Sequence, residues 1–245
     1  MNEAFIHLKE TLSTNSYLRE LITREKDPAE GTVVVADYQT AGRGQRGNGW
    51  ESERGMNLLF SLLLHPDHIP AGKQFILSQL ISLAIVEVLQ EYDPHFSIKW
   101  PNDIYWKDKK IAGILIEVDL MGSVLGNAIA GIGININQTC FRSDAPNPVS
   151  LAQITGKEYN LPELLEKILD RIADEYSRYT PAKEEEIKRR YMHLLFRNKG
   201  LHPYLCKGEI FNASIEGIET NGQLVLKKED GSIRTFAFKE ISFVI

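Results

Sequence analysis

The run Ala130-Gly131-Ile132-Gly133-Ile134-Asn135-Ile136-Asn137 constrains the fold more than any other part of this chain. Successive side chains of an extended chain point to opposite faces. Ala130, Ile132, Ile134 and Ile136 therefore share one apolar face, and Gly131, Gly133, Asn135 and Asn137 share the other. The first face fixes a strand, running from Val124 to Ile136, onto a core. The second face is bare and ends in amides. Two occupants fit it: a flat ligand lying on the sheet, or a helix packed closely against the glycines.

The remaining elements alternate in type. Ser13-Thr14-Asn15 supplies capping side chains ahead of a helix through Ile22. Gly31 opens the β-branched strand 32–36, and a second apolar strand covers 57–64. Residues 73–92 carry apolar positions at helical spacing and form a long core helix. Strands follow at 97–100, stopped by Pro101, and at 104–106. A hairpin turn at Asp108-Lys109 leads into strand 110–118. Residues 161–179 and 184–195 read as amphipathic helices with solvated Lys and Glu faces. Beyond the boundary at Asn198-Lys199-Gly200 the character changes. Asn221-Gly222 and Asp230-Gly231 each sit between short strand-like runs, a strong hairpin signal. The expected fold is α+β: a mixed sheet packed against helices over residues 1–198, then a small all-β barrel over 199–245.

Bulk properties narrow the function classes. The net charge of −5 gives no basic surface for nucleic acid. No uncharged apolar run reaches the roughly 18 residues of a membrane span, and the N-terminus has no signal pattern. Cys140 and Cys206 lie far apart, as two free thiols of a reducing, cytoplasmic setting would.

Two long polar segments carry the chemistry. Residues 39–54 form a Gly- and Arg-rich loop containing Gly42-Arg43-Gly44-Gln45-Arg46-Gly47. It matches G-x-G-x-x-G after a strand, but Asn48-Gly49 breaks the helix a dinucleotide fold requires and no acid stands about 20 residues on. Glycines that admit phosphate oxygens and arginines with planar donor forks still suit anions. A solvated surface loop is the alternative. A second polar loop covers 139–149. In Lys99-Trp100-Pro101-Asn102-Asp103 the bend projects an amide and a carboxylate, able to hold a sugar, a phosphate or Mg2+, or simply to form an Asx turn. Lys110 enters an apolar strand, where it either reaches solvent or meets an anion. Gly113 leaves space against the sheet, but regular alternation puts 110 and 113 on opposite faces, so both serve one pocket only if Lys110 sits in the turn.

In order and nearly throughout, these pieces resemble the biotin protein ligase (biotin–[acetyl-CoA-carboxylase] ligase) family, monofunctional type. Ser13-Thr14-Asn15 resembles its Ser-Thr-Asn motif, Gln39 and the Gly42 to Gly47 run its Gly-Arg-Gly loop, and Lys99 to Asp103 its Lys-Trp-Pro-Asn-Asp block. Lys110 to Glu117 and Gly131 to Asn135 complete the series. The resemblance implies a class II synthetase-like, biotin/lipoyl-ligase fold with a C-terminal barrel. It also implies biotin contacts from Ser13, Thr14, Asn15, Gln39, Arg43, Gly44, Gln45, Lys110, Gly113 and Leu115. For ATP it implies Arg43, Arg46, Trp50, Asn102, Asp103, Lys110 and Asn135, with Asp103 toward Mg2+. Lys110 and Arg43 would be catalytic. Gln45 and Asn48 stand where relatives often carry arginine, which removes two cations from the loop and leaves Arg46 and Arg54. The Ser-Thr-Asn motif at residue 13 leaves no room ahead of it for the DNA-binding domain of bifunctional members, so no repressor role is expected.

The implied reaction activates biotin with ATP as biotinyl-5'-AMP and transfers it to a lysine of a biotin carboxyl carrier protein. ATP, Mg2+ and biotin are the expected ligands, with no tightly bound prosthetic group, and a homodimer is among the assemblies allowed. A lipoate–protein ligase or a non-catalytic biotin-binding protein are the competing readings. Nothing in the chain looks like a Ser/His/Asp or Cys/His nucleophile, which fits direct transfer.

Overall fold

The computed structural model describes residues 4–25, 28–44, 49–142 and 147–245. Its elements in chain order are β1 (Phe5–Leu8), α1 (Thr14–Glu25), β2 (Val33–Ala36), β3 (Leu58–Leu64), α2 (Phe75–Gln90), β4 (Phe96–Lys99), β5 (Asp103–Trp106), β6 (Lys109–Met121), β7 (Val124–Ile134), α3 (Leu151–Thr155), α4 (Leu161–Ser177) and α5 (Glu184–Leu194). Five further strands close the chain: β8 (His202–Cys206), β9 (Glu209–Ile218), β10 (Leu224–Lys228), β11 (Ile233–Phe236) and β12 (Ser242–Phe243).

Strands β1 to β7 form one seven-stranded sheet in the order β1-β2-β3-β7-β6-β5-β4. β1 pairs with β2 in parallel and every other pair is antiparallel, so the sheet is mixed. All seven residues of β3 are buried, because both faces of the sheet are covered. Phe60, Leu62 and Leu64 face α2 and α4 in the main core. Leu63 faces the other way and packs with Leu18 of α1, Val34 and Ile129. By length and composition α2 with the turn before it, Ala71–Gln90, could span a bilayer, yet 72% of its most apolar window is buried inside the protein. It is a core helix.

α1 covers only one end of its sheet face. From its first turn onward along the same face no helix of the described residues lies on the sheet, and this is where the alternation of β7 matters: Gly131 and Gly133, which bring no side chains of their own, lie there, paired with Ser61 and Leu59 of β3 on one side and Leu115 and Gly113 of β6 on the other.

Strands β8 to β12 form a second, five-stranded antiparallel sheet in the order β11-β10-β9-β8-β12. Among the described residues no ladder closes β11 onto β12. Both expected hairpins form, at Asn221-Gly222 and Asp230-Gly231. This sheet docks through the first turn. The Trp100 indole Nε1 donates to the Gly222 carbonyl at 2.8 Å, and Gly222, at φ 89°, lies so close to Phe75 that a Cβ would sit 2.6 Å from the ring.

Three local expectations need correction. The two-residue turn after β5 is Lys107-Asp108, with Lys107 at φ 51°, and Lys109 already pairs with Trp106. Lys110 is therefore not in the turn. β1 and α3 were not expected. α3 is nucleated by a capping box in which Ser150 accepts from the Gln153 backbone N–H and the Gln153 side chain accepts from the Ser150 N–H.

Candidate active site

The cleft stands on the bare part of the sheet. Its first wall is the N-terminus of α1. The parallel β1–β2 pairing continues past both strands as a bridge between Thr11 and Gln39, with Thr40 N–H donating to the Thr11 carbonyl and Ala41 N–H to that of Leu12. This brings Gln39 against the start of the helix. Gln39 Oε1 accepts from the Thr14 backbone N–H at 2.8 Å and from the Thr14 hydroxyl at 3.2 Å. From the floor the Ser61 hydroxyl, fully buried, lies 2.7 Å from the Thr14 hydroxyl and donates to Asn15 Oδ1 at 2.6 Å. Asn15 Nδ2 donates to Glu117 Oε2 at 2.9 Å and to the Leu115 carbonyl at 3.3 Å. Ser13, Thr14 and Asn15 are all buried. Asn15 occupies the space over Gly131, where a Cβ would lie 2.1 Å from its Oδ1.

The second wall is the Gly/Arg loop. Arg43 and Gly49 form an antiparallel bridge, and the Trp50 N–H donates to the Gly42 carbonyl. This returns Trp50 across the sheet onto Gly133, where a Cβ would lie 2.5 Å from indole Cε2, and onto Gly113, where it would lie 3.1 Å from Cζ3. Of the two occupants considered for this face, the packed helix is found at Gly131, under the start of α1, while at Gly133 the space is filled by a side chain of the protein itself, the Trp50 ring. The Trp50 Nε1 is buried without a hydrogen-bond partner. Arg43 bonds Glu117 Oε2 at 3.2 Å, the same oxygen that holds Asn15. Arg54 is engaged outside the cleft by Glu10 and the Tyr38 ring.

The far wall carries the charges. Between β5 and β6 the register shifts: Ile104 pairs with Ala112, but Tyr105 pairs with Lys110. Ile111 is the extra residue of a bulge. The bulge sends Ile111 and Ala112 into the core together and returns Lys110 to the face of Gly113. Its Nζ lies 2.7 Å from Asp103 Oδ1, 3.5 Å from the place of a Gly113 Cβ, and 5.7 Å from the centre of the Trp50 ring. Asn102 Nδ2 donates to the Ile114 carbonyl at 2.5 Å, while Ser78 donates to the Pro101 carbonyl at 3.1 Å, so α2 steadies the bend.

These walls enclose about 790 Å3, open mouth included, which is in the range of small-molecule sites. Ser13, Thr14, Asn15, Gln39, Arg43 and Gly44 line it on one side, and Trp50, Asn102, Asp103, Lys110, Gly113 and Leu115 on the other. Asn135 does not line this cleft. It lines a second chamber that shares Gln39, Gly49, Trp50, Lys99, Asp103 and Lys110 as its partition. Its Nδ2 donates to the Val149 carbonyl, and its buried Oδ1 has no partner. Gln45 and Arg46 lie outside the described residues. Sequence reasoning missed Ser61, whose signal was a lone hydroxyl in Leu-Leu-Phe-Ser-Leu-Leu-Leu, and the bridging role of Glu117 at the end of the Lys110 block. It also missed Phe238, which reaches the cleft from the second sheet.

Fold and cleft together define a sheet-floored scaffold with two adjoining chambers of small-molecule size. The biotin/lipoate A/B protein ligase family profile matches residues 8–135. The bifunctional ligase/repressor BirA of Bacillus subtilis is 32% identical over 238 residues, covering 94% of this chain and 71% of that protein. The biotin–[acetyl-CoA-carboxylase] ligase of Mycobacterium tuberculosis is 31% identical over 151 residues, covering 59% of this chain and 53% of that protein. The solved Aquifex aeolicus biotin protein ligase in complex with biotin and ATP superposes with a TM-score of 0.80, at 31% identity over 97% of each chain. This chain belongs to the biotin/lipoate A/B protein ligase family.

Proposed function

We propose that the protein is an ATP-dependent biotin protein ligase, which forms biotinyl-5'-AMP and passes biotin to a lysine of a biotin carboxyl carrier protein. One observation carries this reading: a buried set of hydrogen-bonding side chains and the Lys110–Asp103 pair stand at opposite ends of one glycine-floored cleft. A bicyclic urea needs both donors and acceptors, and Ser13, Thr14, Asn15 and Gln39 supply both. The dithiolane of lipoate offers nothing for that set to bond, which favours biotin. Gly113 and Leu115 lie along the path of the acyl tail beside Trp50, which rests on the glycine floor, and Arg43 and Gly44 close over it.

A carboxylate is a poor electrophile, so amide formation requires activation. The biotin carboxylate oxygen bonds to the α-phosphorus of ATP and pyrophosphate leaves with the electron pair of its bridging oxygen. Lys110 stands at the partition between the chambers and offsets the charge gathering there. The nucleoside fits the second chamber, where the free Oδ1 of Asn135 can accept an N–H or O–H. Asn102 and Asp103 flank the phosphates. Among the described residues no three metal-binding side chains cluster. Asp103 is a single carboxylate beside the phosphate position and would hold Mg2+ brought in on the nucleotide. When bound, Mg2+ supplies further charge neutralisation. In the second step an acceptor lysine attacks the acyl carbon and AMP leaves.

Biotin-dependent exchange of radiolabelled pyrophosphate into ATP tests the reading. Exchange with biotin and none with lipoate is the expected result. Exchange without biotin, or with lipoate alone, contradicts it.

A further inference from the structure

The sheet register places one row of residues across four strands on the cleft side. Gly133 of β7 pairs with Gly113 of β6, Gly113 with Asp103 of β5, and Asp103 with Lys99 of β4. Directly paired residues share a face. The row therefore runs from bare floor to carboxylate to ammonium over three strand steps, roughly 14 Å at the usual spacing. Lys110 stands over its middle, and Lys99 stands one strand beyond Asp103, at the end farthest from the amides of α1.

Lys99 is a strange residue to keep there without a ligand. It lines both chambers, and its Nζ lies 4.9 Å from the centre of the Tyr105 ring and 5.3 Å from that of Phe243 of β12. Asp103, the nearest anion, is already bonded to Lys110 at 2.7 Å, and among the described residues Lys99 has no ion-pair partner. Burial lowers its pKa; Asp103 opposes this, while Lys110 and Arg197 add to it. Along this row two lysines, Lys99 and Lys110, thus stand against the single carboxylate of Asp103, an excess of positive charge that an added polyanion would correct.

We propose that Lys99 binds the β- and γ-phosphates of the nucleotide and holds the pyrophosphate as it departs. The inference rests on the ligase reading above. In-line displacement at the α-phosphorus sends the leaving group away from the attacking carboxylate. The carboxylate arrives from the α1 side, the nucleoside occupies the chamber of Asn135, and the row toward Lys99 is the direction left for the leaving group. Phe243 and Arg197, which bonds the Val244 carbonyl at 2.9 Å, give the C-terminal sheet a part in this by steadying the lysine and adding to its field.

The test uses the full chain with Lys99→Met, which keeps an unbranched apolar stem and removes the charge, and Lys99→Arg, which restores it. Calorimetry is run with inorganic pyrophosphate, ATP, AMP and biotin, and transfer is timed from synthetic biotinyl-AMP. For Lys99→Met the affinity for pyrophosphate and ATP falls at least tenfold. AMP and biotin bind within twofold of wild type, transfer from preformed biotinyl-AMP is unchanged, and Lys99→Arg regains most of the loss. Equal losses for AMP and ATP, or none for pyrophosphate, overturn the assignment. If Lys99→Met does not fold, Lys99→Gln takes its place under the same criteria. A wild-type chain that makes no biotinyl-AMP overturns the ligase reading itself, whereas an active wild type with normal pyrophosphate binding in Lys99→Met overturns only the role of Lys99.

Discussion

Gly131→Ala isolates the contact between helix and floor. A methyl group there would lie 2.1 Å from Asn15 Oδ1, so the Asn15 side chain must leave. It then gives up the bond from Ser61 at 2.6 Å, the bond to Glu117 at 2.9 Å and the long bond to the Leu115 carbonyl. A neutral hydrogen bond contributes about 1 kcal/mol and one to a charged acceptor about 2 kcal/mol; with the long bond set aside, the loss is about 3 kcal/mol. Because Asn15 stands among the side chains assigned to the biotin head group, most of this should appear in affinity, as roughly a hundredfold weaker biotin binding. Biotin calorimetry on Gly131→Ala, Asn15→Ala and the double variant checks the origin. In the Asn15→Ala background the added methyl no longer meets the Asn15 amide and should cost less than about 0.5 kcal/mol more. Wild-type affinity in Gly131→Ala, or the same loss in both backgrounds, would refute the reasoning.

Three further outcomes follow from the same structure. Lys110→Ala should slow biotinyl-AMP formation at least tenfold, about 1.4 kcal/mol in the barrier, in single-turnover experiments, and an unchanged rate removes its role. Gly222→Ala should lower stability to urea by about 2 kcal/mol, since it forces a Cβ onto Phe75 at a positive φ. Burial raises the pKa of Glu87, but hydrogen bonds from Arg190 and Arg171 outweigh it and leave the carboxyl below its usual 4.5. That stability is present above pH about 4.5 and is lost as the pH falls through the lowered value, so Glu87→Gln should unfold with a flatter acid profile than wild type.

The alternation of Ala130 to Asn137 was legible because a strand buried on one face and bare on the other leaves a period-two mark in any sequence. What lay over the bare face was not, since Asn15 and Trp50 reach Gly131 and Gly133 from distant segments. Parity alone set Lys110 and Gly113 apart. The bulge at Ile111 that reunites them is a property of pairing with β5, and the sequence shows no glycine or proline to mark it. β1 is a four-residue edge strand with no strong pattern, yet its parallel pairing is what carries Ser13 and Thr14 to Gln39. α3 could have been read, because Ser150 and Gln153 have capping-box spacing. The two C-terminal hairpins were legible from their Asn-Gly and Asp-Gly turns, whereas the seating of Gly222 on Phe75 and Trp100 is tertiary and leaves no local trace.

The central claim is that a single cleft sets an acyl carboxylate beside a nucleotide α-phosphate. A crystal structure with biotin and a non-hydrolysable ATP analogue measures that separation. A carboxylate oxygen about 3.5 Å or less from the α-phosphorus, beside Lys110 and the Trp50 ring, is the result expected. Biotin and nucleotide bound in separate places, with Lys110 touching neither, would contradict it.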